Sequence, residues 1–177
     1  GGTFTNASGI AANRIAVWNG GTWSSLGMGT GNGVNGTVLS IAINGSDVYV
    51  SGLFTNAGTT MVRGIAKWDG ASWSDVGSIS GDGIDIKTLT VYNGEMIVGG
   101  NFIYSVNGGA SAHYIAKWNG TNWATMGSSI GGVVWSLAVS NGNLFAGGSF
   151  ESPIGNNILK WEPNAPGGWA PLGTGTN

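Results

Sequence analysis

The 177-residue sequence contains no cysteine and little charge. The absence of cysteine excludes disulfide bonds, a thiolate nucleophile and cysteine-based zinc or iron–sulfur sites. Six basic and eight acidic residues leave a formal net charge of −2. Because there is no basic stripe, the electrostatic attraction that drives nucleic-acid binding is missing. We therefore expect no nucleic-acid partner.

Long apolar runs and helix signals are also missing. No apolar run approaches the roughly 20 residues of a membrane-spanning helix, so no membrane span is expected. No sustained i, i+3, i+4 apolar pattern occurs, and 35 residues are glycine. The sequence begins at Gly1 inside a repeated phrase and stops at Asn177, just short of a new strand. We expect a segment of a longer repeat array.

What the sequence has instead is a phrase repeated four times. In each copy a Phe follows a glycine-rich strand end. The next strand ends with a Trp, and the strand after it begins with a second Trp. The period of about 50 residues is typical of propellers and solenoids. The phenylalanines are Phe4, Phe54, Phe102 and Phe150, and the tryptophan pairs are Trp18 and Trp23, Trp68 and Trp73, Trp118 and Trp123, and Trp161 and Trp169.

Each full repeat carries four strand signals, which we label A to D in chain order. Strands A and B are nearly continuously apolar, which predicts strands covered on both faces. Strand D is polar in its middle and admits Pro171, which belongs on an edge strand. Strand A is therefore predicted to be innermost and strand D outermost. Strand A is predicted at 38–43, 87–91 and 134–139, and strand B at 48–50, 96–98 and 144–146.

Asn-Gly or Asp-Gly pairs lie in both the A–B and the C–D connections. These pairs supply the positive φ angles of type I′ turns, so tight hairpins are predicted at both places. In the first three repeats, four residues separate the two tryptophans, which predicts that the rings lie opposite each other. The A–B pairs are 44–45, 93–94 and 141–142, and the C–D pairs are 19–20, 69–70 and 119–120.

A four-stranded antiparallel sheet in which predicted burial decreases from strand A to strand D is typical of a propeller blade. The predicted fold is all-β, a single β-propeller segment of about three and a half blades. Propellers close with about four to eight blades, so further blades are expected from the same longer chain or from a second copy. The predicted boundaries are a half blade at 1–37 and full blades at about 38–85, 86–133 and 134–177.

The phrases Gly147-Gly148-x-Phe150, Ile115-Ala116-Lys117-Trp118-Asn119-Gly120-x-x-Trp123 and Leu137-Ala138-Val139 resemble the propeller repeats of large secreted bacterial surface proteins, common in Bacteroidetes. Similar repeats occur in fungal cortical cell-polarity markers, and the Gly-Gly end of strand B resembles kelch blades. The resemblance covers essentially the whole chain. It implies a kelch-like β-propeller and secretion, and it implies little about function, because propellers host many functions.

The nine tryptophans allow two interpretations. Their rings suit stacking on sugars, but a residue that recurs at one strand position in every repeat is typical of packing between blades. Trp135 occurs once, in strand A near the predicted inner channel. Core packing is predicted for it too, with a pocket-lining role as the alternative. Packing between blades is predicted for Trp18, Trp68, Trp118 and Trp161.

Catalytic and metal chemistry find little support in the sequence. His113 is the single histidine and has no carboxylate or serine beside it, so it is predicted to be a solvated residue of the loop 103–114. Asp82-Gly83-Ile84-Asp85 is a faint calcium-loop pattern, but calcium takes about six or more oxygen ligands. We predict no enzyme, no catalytic residue, no metal and no cofactor.

The connections that differ between repeats are the B–C and D–A loops. Strand alternation places both kinds on one face of the ring, and function usually lies on variable loops held by a rigid scaffold. We predict that a protein or glycan ligand binds this face, near Arg14, Arg63, Tyr104 or His113. The B–C loops are predicted at 5–14, 55–64, 103–114 and 151–157.

The predicted function is that of a non-enzymatic module of a secreted or cell-surface protein, for adhesion, recognition or structural scaffolding. A neutral surface rich in Gly, Asn and Thr suits an extracellular setting. Two alternatives stay open. One is a carbohydrate-binding, lectin-like propeller, and the other is the accessory propeller domain of a larger secreted hydrolase.

Overall fold

The computed structural model describes residues 1–77, 85–105, 111–150 and 157–172. The chain forms two compact units, unit 1 (Gly1–Ser78) and unit 2 (Ile79–Asn177). Within the described ranges, regular structure is β-strand apart from two short 3-10 helices, Gly29–Gly31 and Pro166–Gly168. The all-β prediction is confirmed.

Unit 1 holds one two-stranded and one four-stranded antiparallel sheet, together with two small hairpins. Its strands are β1 (Asn6–Ala7), β2 (Ile10–Ala11), β3 (Ala16–Trp18), β4 (Trp23–Ser25), β5 (Thr37–Asn44), β6 (Asp47–Leu53), β7 (Asn56–Ala57), β8 (Thr60–Met61), β9 (Ile65–Trp68) and β10 (Trp73–Asp75). β5, β6, β9 and β10 pair in chain order, as strands A to D should, and β3 pairs with β4 as an isolated C–D pair. β1 with β2 and β7 with β8 form the hairpins, which lie inside the predicted B–C loops.

Unit 2 holds two four-stranded antiparallel sheets. Its strands are β11 (Asp85–Tyr92), β12 (Glu95–Ser105), β13 (Ser111–Trp118), β14 (Trp123–Thr125), β15 (Val134–Ser140), β16 (Asn143–Gly148), β17 (Ile158–Trp161) and β18 (Trp169–Pro171). β11 to β14 form one sheet and β15 to β18 the other, each in chain order. The predicted four-stranded antiparallel sheets are therefore confirmed.

The predicted loop 103–114 is wrong, because strands occupy most of it. β12 runs to Ser105, β13 begins at Ser111, and Ile103 pairs with His113. The strand-forming side chains of Ile103, Tyr104 and Tyr114 extend the B and C strands into a long hairpin. His113 is consequently a half-buried strand residue rather than a solvated loop residue.

The A–B turns fit the predicted type I′ geometry in unit 2. Residues 93–94 and 141–142 each have positive φ at both positions. In unit 1 the prediction is wrong, because Asn44 pairs with Asp47 and the central residues are Gly45 and Ser46. Only Gly45 has positive φ there, the pattern of a type II′ turn.

The C–D turns use the same residue types differently. Because Trp18 pairs with Trp23 across four residues, a two-residue type I′ turn cannot form, and that prediction is wrong. The Asn19 side chain instead accepts hydrogen bonds from the backbone N–H groups of Gly21 and Thr22, at 2.9 and 2.8 Å. The side chain of Asn or Asp thus closes the turn itself.

Asp69 closes the next C–D turn in the same way. It accepts hydrogen bonds from the backbone N–H groups of Ser72 and Ala71, at 2.7 and 2.8 Å. Since these donors stabilise the ionised carboxylate, they hold the pKa of Asp69 below its ordinary value. The turn therefore keeps its acceptor charged at neutral pH.

The two tryptophans of each repeat face each other across the C–D pair, as predicted. Their ring centroids are 5.2 to 5.4 Å apart. The strand D rings are the buried members in the full sheets, with exposed fractions of 8% at Trp73, 5% at Trp123 and 3% at Trp169. The strand C rings of these sheets are half-buried, and Trp18 is 49% exposed, so the packing predicted for Trp18 is wrong.

Two buried indoles are anchored by hydrogen bonds. Trp73 Nε1 donates to the carbonyl of Leu26 at 3.1 Å, and Trp169 Nε1 donates to the carbonyl of Met126 at 2.9 Å. In both cases the acceptor residue stands three positions after the preceding strand D tryptophan, so the same contact recurs in each unit.

Strand A is less buried than predicted. Ile41 and Ile43 of β5 are 38% and 66% exposed, and Val139 of β15 is 41% exposed. Strand A is the edge of each sheet with strand B as its one neighbour, so its outward side chains stay uncovered. Strand B carries the better-buried residues, among them Val50 and Ile97, both fully buried.

The Gly-rich end of strand B has a steric cause. In each full sheet the pairing of A with B shifts by one residue at this point, as in a β-bulge. A side chain on the glycine opposite the shift would collide with a backbone carbonyl oxygen at the start of strand A or directly before it. The pairs are Gly52 with Thr37, Gly100 with Asp85 and Gly148 with Val133.

We predict that Gly148→Ala destabilises the protein by about 2 kcal/mol or more, because the methyl group would collide with the Val133 carbonyl and lie 2.6 Å from the Phe150 ring. Gly147→Ala is the matched control, since its methyl group would meet a single atom, the Asn157 oxygen, at 3.8 Å. Chemical denaturation should show Gly147→Ala within about 0.5 kcal/mol of the wild type. Equal losses in the two variants would contradict the steric explanation.

Candidate functional site

Unit 1 gathers three connections at one edge of its sheets. We term residues 5–14, 29–36 and 55–64 the loop face. The D–A connection lies between the two B–C connections and contacts both of them. The backbone N–H of Asn13 donates to the Asn32 carbonyl at 2.9 Å, and that of Gly58 donates to the Gly33 carbonyl at 2.7 Å. Within unit 1, B–C and D–A loops thus share a face, as predicted.

Asparagine side chains fix these loops to one another. Asn32 is buried, donates from Nδ2 to the Ala11 carbonyl at 3.0 Å and accepts from Asn13 Nδ2. Asn35 Oδ1 accepts from the backbone N–H groups of Thr55 and Asn56, each at 2.9 Å. Because both asparagines bind backbone of a different loop, the loop face is a built surface rather than three independent loops.

The two B–C connections repeat one backbone arrangement. Gly2 N–H donates to the Arg14 carbonyl at 2.8 Å, and Gly52 N–H donates to the Gly64 carbonyl at 3.0 Å. Arg14 and Gly64 both adopt positive φ, 64° and 71°. An arginine in this region is strained where glycine is not, so the backbone at Arg14 adopts a conformation that the surrounding loop contacts must hold in place.

Every lysine of the chain has a carboxylate partner. The Lys67 ammonium lies 3.1 Å from Asp47, and the hydrogen bond to that carboxylate is the main reason why the pKa of Lys67 is raised. The remaining pairs are Lys87 with Asp85 at 2.6 Å, Lys117 with Glu95 at 2.9 Å and Lys160 with Glu162 at 3.0 Å.

The two arginines differ from the lysines. Arg14 is half-buried and Arg63 is exposed, and among the described residues neither guanidinium has an acidic partner. Both belong to the loop face. The unneutralised basic side chains of the described structure are therefore confined to this one surface.

Large apolar side chains accompany the arginines. Met28, which directly precedes the D–A connection, is 91% exposed, and Met61 on the loop face is 80% exposed. Exposed methionines adapt their shape to a partner and recur at binding surfaces. The sequence gives no periodic signal that marks these two residues, so sequence reasoning missed them.

The other predicted site residues lie in unit 2. Tyr104 pairs through its backbone with Ala112, and its side chain lies outside the described residues. The His113 ring meets the Tyr114 ring edge to face at 6.2 Å. Among the described residues, no carboxylate or hydroxyl group forms a hydrogen bond with His113.

Asp82 of the candidate calcium loop falls outside the described residues, and Asp85 is paired with Lys87. In the described part of the chain, no group of three or more His, Asp or Glu residues is placed to hold a metal ion. The same residues include no helix with the length and hydropathy needed to cross a bilayer.

Trp135 is exposed, so the core packing predicted for it is wrong. The register of β15 against β16 shifts between Val134 and Ser136, which makes Trp135 the extra residue of a bulge and turns its ring outward, 55% exposed. The Lys87 ammonium lies 4.4 Å from the ring centroid, and Trp135 Nε1 donates to Ser149 Oγ at 2.9 Å. The ring is therefore held in place at the surface of unit 2.

Comparison with known proteins gives a limited likeness. No family model and no curated protein matches the sequence. Of the 45 matching chains of solved structures, one is described as YCF48 bound to D1 peptide, and YCF48 is a β-propeller. It is 19% identical with a TM-score of 0.49, and the alignment covers 86% of this chain. The chain spans 44% of the YCF48 chain, less than half its length.

Proposed function

We propose that this chain is a non-enzymatic recognition module of the β-propeller class that binds an acidic segment of a partner protein through the loop face. The observation that carries the proposal is the distribution of ion pairs. All four lysines are matched by carboxylates, whereas Arg14 and Arg63 are not matched within the described residues. Within the described residues, the loop face is thus the surface where basic side chains lack a carboxylate partner.

Arginine suits this role because of its geometry. A planar guanidinium donates two parallel hydrogen bonds to one carboxylate, and such charge-assisted bonds are stronger than neutral ones. Arginine and methionine are both enriched in protein–protein interfaces. The combination of Arg14 and Arg63 with exposed Met28 and Met61 favours a protein partner that presents carboxylates beside apolar groups.

Rigidity supports the same proposal. The Asn32 and Asn35 contacts order the loop face before any partner arrives, which lowers the entropy cost of binding. We place the module in a secreted or cell-surface protein, in adhesion, recognition or scaffolding, as its low charge and neutral polar surface favour. Its role as an accessory domain of a larger hydrolase stays an alternative.

A second candidate function rests on Trp135. An exposed ring fixed by Lys87 and Ser149 is a platform on which the apolar face of a sugar can stack. This observation favours the carbohydrate-binding alternative, with the ligand on unit 2 rather than on the loop face.

We predict that the double variant Arg14→Gln, Arg63→Gln binds a dye-labelled polyglutamate peptide at least about tenfold more weakly than the wild type, because two charge-assisted contacts are lost. Fluorescence anisotropy at low and high salt measures this. Wild-type binding should weaken as salt rises, and polyglutamine should not bind.

The control for this experiment is Lys117→Gln, Lys160→Gln, which changes the net charge equally and lies elsewhere on the chain. It should keep the wild-type affinity for polyglutamate. If the arginine variant bound as tightly as the wild type, or if the lysine variant lost as much, the proposed role of the loop face would be wrong.

The carbohydrate alternative predicts that glycan-array binding is lost in Trp135→Ala, with unchanged thermal stability because the ring is exposed. Trp18→Ala, another exposed tryptophan, is the control and should bind glycans normally. Absence of any glycan signal for the wild type would exclude this alternative.

A further inference from the structure

We propose that the exposed tryptophan face of the β3–β4 pair is a docking site for a second copy of this chain, which inserts its strand D end at Leu172. The groove shares Ser8 and Ile10 with the loop face, but the interface uses neither Arg14 nor Arg63 and does not depend on the function proposed for them. It follows from comparing two grooves of the same construction, one walled by a strand D end and one without that wall.

The walled groove belongs to Trp73. It has a volume of about 320 Å³. The preceding strand D end closes one side of it, where the Leu26 carbonyl accepts the Trp73 indole hydrogen bond at 3.1 Å and Gly27 and Met28 supply a wall. The remaining lining includes Gly58, Thr60, Trp68, Ala71, Ser72 and Trp73.

The open groove belongs to Trp23 and has a volume of about 370 Å³. Its six lining residues each stand 50 positions before a lining residue of the Trp73 groove. What it lacks is the wall that Leu26, Gly27 and Met28 supply in the Trp73 groove. The lining consists of Ser8, Ile10, Trp18, Gly21, Thr22 and Trp23.

Without this wall, the apolar side chains of the Trp23 groove are exposed and the indole N–H of Trp23 lacks an acceptor among the described residues. Trp23 is 38% exposed where Trp73 is 8% exposed, and Ile10 is 44% exposed. In the part of the chain that the structure describes, Trp23 Nε1 has no acceptor, whereas Trp73 Nε1 and Trp169 Nε1 each bind a carbonyl. The segment that fits is therefore a strand D end with an apolar side chain and a free carbonyl.

The chain itself supplies that segment at the end of β18. Leu172 stands three residues after Trp169, as Leu26 follows Trp23 and Met126 follows Trp123. Leu26 and Met126 are 5% and 4% exposed and their carbonyls accept indole bonds, whereas Leu172 is 49% exposed. No described donor reaches the Leu172 carbonyl.

One copy therefore presents both an open groove and an uncovered strand end of the kind that fills it. Because the two surfaces differ, the contact is head to tail: Trp23 of one copy donates to the Leu172 carbonyl of the next. Because the chain itself carries both complementary surfaces, the occupant of the groove is a second copy of this chain.

Sedimentation velocity over a range of concentrations tests the interface. The wild-type chain should associate in a concentration-dependent way, and Trp23→Ala should raise the dissociation constant by at least about tenfold, as expected for a central interface tryptophan. Leu172→Asp should do the same from the other surface. Trp135→Ala removes an exposed tryptophan elsewhere and should associate as the wild type does.

A mixing experiment separates a lost interface from a misfolded variant. Trp23→Ala retains Leu172, and Leu172→Asp retains the groove, so a mixture of the two should form a heterodimer that grows no further. A wild-type chain that stays monomeric at every concentration would overturn the proposal and point to further blades of a longer chain as the occupant. Association that neither variant weakens, or a mixture that stays monomeric, would overturn it as well.

Discussion

Within each unit, the hydrogen bond from a buried indole to a strand-end carbonyl joins one sheet to the next. Trp73 reaches Leu26 in unit 1, and Trp169 reaches Met126 in unit 2, at nearly equal distances. A buried indole N–H needs an acceptor, and the ring brings a large apolar area with it. In both units the acceptor stands three residues after a strand D tryptophan, so the same contact recurs at the repeat spacing, as in a repeat array.

A second constraint fixes the other side of each sheet. The strand B glycine lets a backbone carbonyl at the start of strand A or directly before it approach so closely that no side chain fits between them, as at Gly52 and Gly148. The shift in register at this point turns the extra strand A residue outward, which exposes Trp135 and brings it against Lys87. The repeated residues therefore build the frame, whereas the residues for which we propose a role in recognition, such as Trp135 and Arg14, occur once.

The sequence predicts the strands and their pairing well, because the apolar runs, the turn residues and the paired tryptophans are local signals. It predicts burial less well. Strand A has the composition of a strand covered on both faces but lies at a sheet edge. A one-residue shift in register, which no sequence pattern indicates, places Trp135 at the surface instead of in the core. The sequence correctly places Arg14 and Arg63 on loops. Which basic side chains lack a carboxylate partner depends on the tertiary structure, because it is the fold that pairs the lysines with Asp and Glu.

Hydrogen exchange of the indole N–H groups, followed by NMR in dilute solution, tests the central contact most directly. Slow exchange reports a buried, hydrogen-bonded donor. The Nε1–H groups of Trp73 and Trp169 should exchange far more slowly than that of Trp23, which occupies the same strand position without an acceptor. If Trp73 and Trp169 exchanged as fast as Trp23, the indole-to-carbonyl bond would not be what joins the sheets.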